Sequence, residues 1–204
     1  MLKKILKDNS FFYYPYLCLL FVSFIVIVTK EKGYLTITIN NNHTLFFDYF
    51  FKYFTYVGTG YMLIPLVVIL FFNNKTFSYL LLSTYAVNGI LVFLLKRFII
   101  YDNYRPYWFL KRAFHQVDGV EVKKLFSMPS GHSNMAFLIF LVLSFMTKSN
   151  KVLQLIFLIM ATLVAISRMY LYQHFLADTV VGSAIAVVLT TLVYMFYYKK
   201  NWIE

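Results

Sequence analysis

The chain has 204 residues, 61% hydrophobic and 13% charged, with a formal net charge of +11. An ordinary soluble domain is about half apolar and about a quarter charged, so the composition argues against a soluble protein and for a membrane one. The surplus positive charge then points to anionic headgroups or phosphate rather than nucleic acid, although Lys and Arg also gather at the ends and short loops of membrane proteins for reasons of topology.

Six apolar runs are long enough to be candidate spans: Phe11–Thr29, Thr55–Phe72, Phe77–Leu95, Ser130–Thr147, Val152–Met169 and Ala177–Tyr198. The expected architecture is all-α, a single polytopic domain over residues 1–204 with six transmembrane helices in one bundle. Lys3, Lys4 and Lys7 precede the first run, but no small-residue cleavage site follows it, so a retained helix is expected. Cys18, the single cysteine, lies inside that run and reads as buried packing.

Between the first two runs the chain alternates Thr and Ile at Thr36–Ile39, then becomes strongly aromatic from Leu45 to Phe54. The aromatic stretch reads either as a helix lying at headgroup level or as the ragged start of the second span. The second span is the least regular, because Gly58 and Gly60 interrupt it.

With six spans, both termini share one side. Lys3, Lys4, Lys7, Lys75, Lys148, Lys151, Lys199 and Lys200 lie there. More basic residues lie opposite, most of them between Lys96 and Lys124. If that cluster is basic for functional reasons, the remainder favours cytoplasmic termini.

Three polar clusters fall on the opposite face when crossings are counted. Lys96-Arg97 and Arg105-Pro106 follow the third span, Pro129-Ser130-Gly131-His132 opens the fourth, and Ser167-Arg168, His174 and Asp178 bridge the fifth and sixth. On a helix, His174 and Asp178 would share one face a turn apart, so that the carboxylate could hold the Nδ1 proton and leave Nε2 free as a nucleophile. Ser130 suits a helix cap, Gly131 lets backbone approach an anion, and His132 would stand beside that anion as a proton donor. Arg105 and Arg168 are permanently charged forks for phosphate oxygens. Each cluster alone also has an ordinary reading: snorkelling helix ends, an N-cap, or a helix-opening pair. Asp102, Asp118 and Glu121 lack recognisable metal-ligand spacing, so no metal and no cofactor is expected.

Together the clusters resemble the signature of the type 2 phosphatidic acid phosphatase superfamily: Lys, six residues, Arg-Pro; then Pro-Ser-Gly-His; then Ser-Arg, five residues, His, three residues, Asp. The second and third motifs match fully. The first departs, since eight residues separate Lys96 from Arg105 and seven separate Arg97 from it. The lysine role therefore stands between Lys96, favoured by residue type, and Arg97.

The resemblance implies a membrane lipid phosphatase. His174 would attack phosphorus, oriented by Asp178, and His132 would protonate the leaving group. Lys96, Arg105, Ser130, Gly131 and Arg168 would hold the phosphoryl oxygens. It also implies a lipid phosphate substrate, such as phosphatidic acid, phosphatidylglycerol phosphate, undecaprenyl pyrophosphate or a lipid A phosphate. The expected location is a bacterial inner membrane, with the site facing the periplasm or exterior. The basic, aromatic stretch 107–128, with Lys111, Arg112, Lys123 and Lys124, favours a highly anionic headgroup. A lipid-to-lipid phosphotransferase or a non-catalytic lipid-binding or transport protein on the same scaffold remains open, as do oligomeric state and the substrate's entry route.

Overall fold

The computed structural model describes residues 1–111, 113–148 and 150–203. Among them every regular element is helical. In chain order these are α1 (Leu2–Asp8), α2 (Ser10–Thr29), α3 (Tyr34–Asn41), α4 (Leu45–Phe54), α5 (Gly60–Asn73), α6 (Lys75–Leu94), α7 (Pro106–Leu110), α8 (Gly131–Met146), α9 (Lys151–Tyr170) and α10 (Leu176–Lys199).

Four helices are long and apolar enough to cross a membrane: α2, α6 with its extension to Ile99, α9 and α10. The α4–α5 pair, bent by 51°, makes a fifth if taken as one span, and α8 is apolar but only 16 residues long. The short helix is the central one. Ala136, Phe137 and Leu138 through Val142 on α8 are buried, enclosed by α6, α9 and α10. A helix apolar on every side belongs inside.

The outer helices show the opposite pattern. Phe21, Phe24 and Val28 of α2, Ile90 of α6 and Val188 of α10 are exposed, an apolar surface far beyond what a soluble monomer presents. Cys18 lies on that surface too. The expectation that it packs inside is therefore wrong: α2 packs on the bundle with the face that carries Phe12, Tyr13 and Tyr16, and Cys18 lies on its outward face.

Polar side chains join the helices where apolar contact with lipid-like neighbours gives little preference. Tyr13 and Tyr16 of α2 pair with Thr191 (2.7 Å) and Ser183 (3.1 Å) of α10. Asn134 of α8 donates to Asn88 Oδ1 on α6 (3.0 Å) and to the Gly182 carbonyl on α10 (3.1 Å).

Two features shape the site. The Thr-Ile alternation at 36–39 forms a helix, not an extended segment, because Thr36 and Asn40, one turn apart, are both buried and bonded to the chain around α9. The aromatic stretch 45–54 is also a helix. It runs through a 3₁₀ turn (Thr55–Gly58) and breaks at Thr59, which is extended and caps α5 by accepting from Tyr61 N–H. It is thus neither detached from the second apolar run nor collinear with it.

Candidate active site

The three polar clusters meet at one end of the bundle. They line a cleft of about 470 Å³, with Lys96, Arg105, Gly131, His132, Arg168 and His174 on its walls. Lys52 and Thr55 of α4, Lys123 and Gln173 also line it.

Lys96 lies in a π turn (Leu95–Ile99) that ends the α6 helix. A π turn inserts one residue relative to an α-helix, so it takes up one of the two extra residues in the first motif. Lys96 Nζ donates to the Phe126 carbonyl at 3.0 Å. Arg97 instead lies over the Phe126 ring and does not line the cleft.

Arg105 is held by the loop that follows it. Its backbone N–H donates to Lys124 O (3.0 Å) and its Nε to Leu125 O (3.0 Å), while Nη1 reaches Gln173 Oε1 (2.9 Å). Burial lowers its pKa to about 10, with Asp178 opposing, so it stays cationic at neutral pH. Arg168, on the last turn of α9, is 7% exposed and donates from Nη1 to Thr55 Oγ1 (2.8 Å). Its Nε has no acceptor among the described residues, a buried donor that an anion's oxygen would satisfy.

His174 sits in the 171–175 turn, 1% exposed. Its backbone is fixed at both ends: N–H to Arg168 O (3.2 Å), and its carbonyl accepting from Thr36 Oγ1 (3.2 Å). Arg105 Nη1 stands 3.4 Å from Nε2. A guanidinium can only donate, so Nε2 is the acceptor and the neutral ring carries its proton on Nδ1. Burial, followed by Arg105, Arg168 and Lys96, holds the pKa of His174 well below its ordinary value; the Ser127 backbone works in the opposite direction. The ring is neutral at physiological pH, with its Nε2 lone pair at the cleft wall.

Asp178 lies behind the ring, with Oδ2 at 3.5 Å from Nδ1. The two residues do not share a helix face, because α10 begins only at Leu176. Asp178 caps that helix instead: Oδ2 accepts from Phe175 N–H (2.9 Å) and from Ser127 Oγ. These two donors fix the carboxylate, and sequence spacing gave no sign of Ser127.

Ser130 caps α8 by accepting from Ser133 N–H (3.3 Å), and its own N–H donates to Asp178 O (2.9 Å). It is fully buried and does not line the cleft. Gly131 does, and a Cβ there would meet nothing within 4 Å. The first-turn N–H groups of α8 lack intrahelical acceptors, so this end of the helix is a fitting cradle for an anion.

Two glycines elsewhere make that position possible. A Cβ on Gly182 of α10 would lie 2.5 Å from Ser130 O, and one on Gly58 would lie 2.6 Å from His132 O. Backbone-to-backbone contact therefore sets the start of α8 from both sides. Of the basic residues in the 107–128 stretch, Lys123 lines the cleft, whereas Lys124 lies over the Trp108 ring. Arg112 is outside the described residues.

The PAP2 superfamily model matches residues 77–202. Phosphatidylglycerophosphatase B of Bacillus subtilis is 32% identical over 152 residues, covering 68% of this chain and 70% of the relative. The crystal structure of Aquifex aeolicus LpxE superposes with a TM-score of 0.72 at 30% identity, over 80% of this chain and 94% of that one. The crystal structure of a Bacillus subtilis transmembrane PAP2-type phosphatidylglycerolphosphate phosphatase gives 0.67 at 28% identity, over 95% and 97%.

Proposed function

The chain belongs to the PAP2 superfamily of membrane lipid phosphatases, and from that premise we propose that it hydrolyses a lipid phosphate ester through a phosphohistidine on His174. The observation that carries the reading is the Nε2 lone pair of a neutral, buried His174, held 3.4 Å from Arg105 in a cation-lined cleft.

Substrate phosphoryl oxygens displace Arg105 from Nε2 and take its guanidinium, together with Lys96, Arg168 and the N–H groups of Gly131 and His132. Nε2 then attacks phosphorus as the bond to the leaving oxygen breaks. His132 gives that oxygen its proton. Asp178 stabilises the positive charge that develops on the ring. Water, deprotonated by His132, then cleaves the N–P bond, releasing phosphate and restoring His174. Phosphoryl transfer needs mainly positioning and charge stabilisation. Three fixed cations and a helix N-terminus supply both, and the reaction is proposed to run without a metal.

Lys52 and Lys123 add two further cations at the cleft. They favour a headgroup with more than one anionic group: a lipid pyrophosphate, a lipid A phosphate or phosphatidylglycerol phosphate over phosphatidic acid. The proposed arrangement is six spans, with α4–α5 as one bent span and α8 as the sixth. The cleft faces outward from a bacterial cytoplasmic membrane, and lipid arrives laterally.

The test is phosphate release by purified protein in detergent with EDTA present. The panel is phosphatidic acid, phosphatidylglycerol phosphate, undecaprenyl pyrophosphate and lipid A, each with wild type and His174→Ala. Release that survives EDTA and vanishes in His174→Ala, with an acid-labile phosphoryl label trapped on wild type, is the expected result. Transfer of label to an acceptor lipid without free phosphate would turn the reading to a phosphotransferase. Loss of release in EDTA would overturn the metal-free mechanism.

A further inference from the structure

One cluster of titratable side chains takes no part in this chemistry. His43, Asp48 and His115 come together where the α3–α4 turn meets the loop over the cleft. One donor atom from each, a ring nitrogen from either histidine and a carboxylate oxygen, lies within 4.8 Å of the others. His115 Nε2 is 2.9 Å and 3.0 Å from the two Asp48 oxygens, and the His43 and His115 rings stack with centroids 3.5 Å apart.

A loop-to-helix clasp needs only one histidine on one carboxylate. The second ring adds a donor that this clasp does not use. The supports behind the cluster are also those of a ligand set. Tyr170 Oη donates to Asp48 Oδ1, and Asn40, fully buried, donates to His115 O (2.8 Å) and accepts from His115 N–H (2.9 Å). Tyr170 is thus a partner of the kind that orients a ligating carboxylate, and Asn40 fixes the backbone that carries the His115 ring. His43 is exposed, whereas Asp48 and His115 are half-buried, so two ligands are held and the third is free to turn at the surface. That turn is required, since two parallel stacked rings cannot both point a lone pair at one ion. His115 Nε2 and the Asp48 carboxylate are now in direct hydrogen-bond contact, and they need open by only about 0.3–0.6 Å to become neighbouring ligands with bonds of about 2.0–2.2 Å to a tetrahedral ion.

We propose that His43, Asp48 and His115 bind a divalent transition-metal ion of the zinc type, with water in the fourth position. Two imidazoles and one carboxylate favour such an ion over Mg²⁺ or Ca²⁺. The ion clasps the loop to α4, and its role is in the cover of the cleft, not in the reaction. Lys52, one turn after Asp48, already donates to Asp118 O, and Gln173 Nε2 donates to Glu121 O. The ion would close the far end of the same loop.

The experiment uses tag-free, chelator-stripped full-length protein in detergent, titrated with Co²⁺ and, separately, analysed for bound Zn²⁺. Wild type is expected to take up one ion with the intense visible bands of four-coordinate cobalt. His43→Ala and His115→Ala should weaken uptake at least tenfold, and Tyr170→Phe by about tenfold. His174→Ala should bind as wild type does. His43→Ala alters an exposed side chain and keeps the fold; its phosphate release reports that directly. Zinc should slow proteolysis of the loop in wild type and leave His43→Ala unprotected. No stoichiometric ion on wild type, or uptake unchanged by both His43→Ala and His115→Ala, would overturn the site.

Discussion

Gly182→Ala tests the claim that backbone contact sets the catalytic geometry. The added Cβ would sit 2.5 Å from Ser130 O, 3.3 Å from Ser130 C and 3.2 Å from Ser130 N. All three are backbone atoms, so no rotamer change relieves them. Real Cβ contacts essentially never fall under 3.0 Å and are ordinary from 3.4 Å. The α10 helix or the Pro129–Gly131 turn must therefore move by about 0.5–0.9 Å, the range in which a misplaced group loses about a hundredfold in rate. The same contact carries the Ser130 N–H to Asp178 O bond, so the shift separates the carboxylate behind His174 from the anion cradle. We expect kcat to fall about ten- to hundredfold with KM changed less, and stability to fall by about 1–3 kcal/mol as in other overpacked sites. Phosphate release on the preferred lipid and thermal unfolding measure the two. Gly89→Ala is the control, since nothing lies within 4 Å of its Cβ. Wild-type kcat in a Gly182→Ala protein of wild-type Tm would refute the argument.

Gln173→Leu removes the side-chain acceptor on Arg105 Nη1, leaving the Gln173 backbone carbonyl, and removes the donor to Glu121 O. A hydrogen bond to a charged group is worth about 1.5–3 kcal/mol, so kcat/KM should fall at least tenfold, as steady-state kinetics would show. The depressed pKa of His174 keeps the nucleophile neutral below the ordinary histidine value of about 6.5. The acid limb of kcat/KM that belongs to the enzyme should therefore lie under that pH; an enzyme limb at or above pH 7 would contradict the assignment. For stability the sign follows from proton uptake: below pH about 6.5 the unfolded chain protonates His174 and the folded one does not. Stability is thus full above that pH and falls as pH drops toward the folded pKa, by up to about 1.4 kcal/mol per unit, a slope that His174→Ala should lack. Neutralising Lys111, Arg112, Lys123 and Lys124 together should lower the rate on lipid pyrophosphate more than on phosphatidic acid, and equal losses would remove the loop from substrate choice.

On the cleft walls Lys96, Arg105, Gly131, His132, Arg168 and His174 were legible because chemistry dictates their type: cations for oxygens, a ring for attack, a glycine where an anion needs room. Their supports were not. Ser127 on Asp178, Thr55 on Arg168 and Thr36 on the His174 carbonyl are ordinary hydroxyls with no motif around them, and only tertiary contact gives them partners. The His174–Asp178 spacing suggested a shared helix face, yet the same interval also fits a turn followed by a capped helix, and capping prevailed. Gly58 read as an irregularity in an apolar run, because a close approach to another backbone leaves no periodic trace. The helix at 34–41 was obscured by local alternation, which lost to two buried contacts one turn apart.

The glycine contacts on either side of the α8 start divide the molecule's capacity for change. No side chain stands between Gly182 and Ser130 or between Gly58 and His132, so there is nothing there for gradual substitution to resize. The connection from α6 to α8, which covers the cleft, is different: its Lys96–Arg105 interval is already longer than the motif's, and extra loop residues are thermodynamically inexpensive. Directed evolution toward a new headgroup should therefore accumulate its gains in the cover and leave the frame untouched.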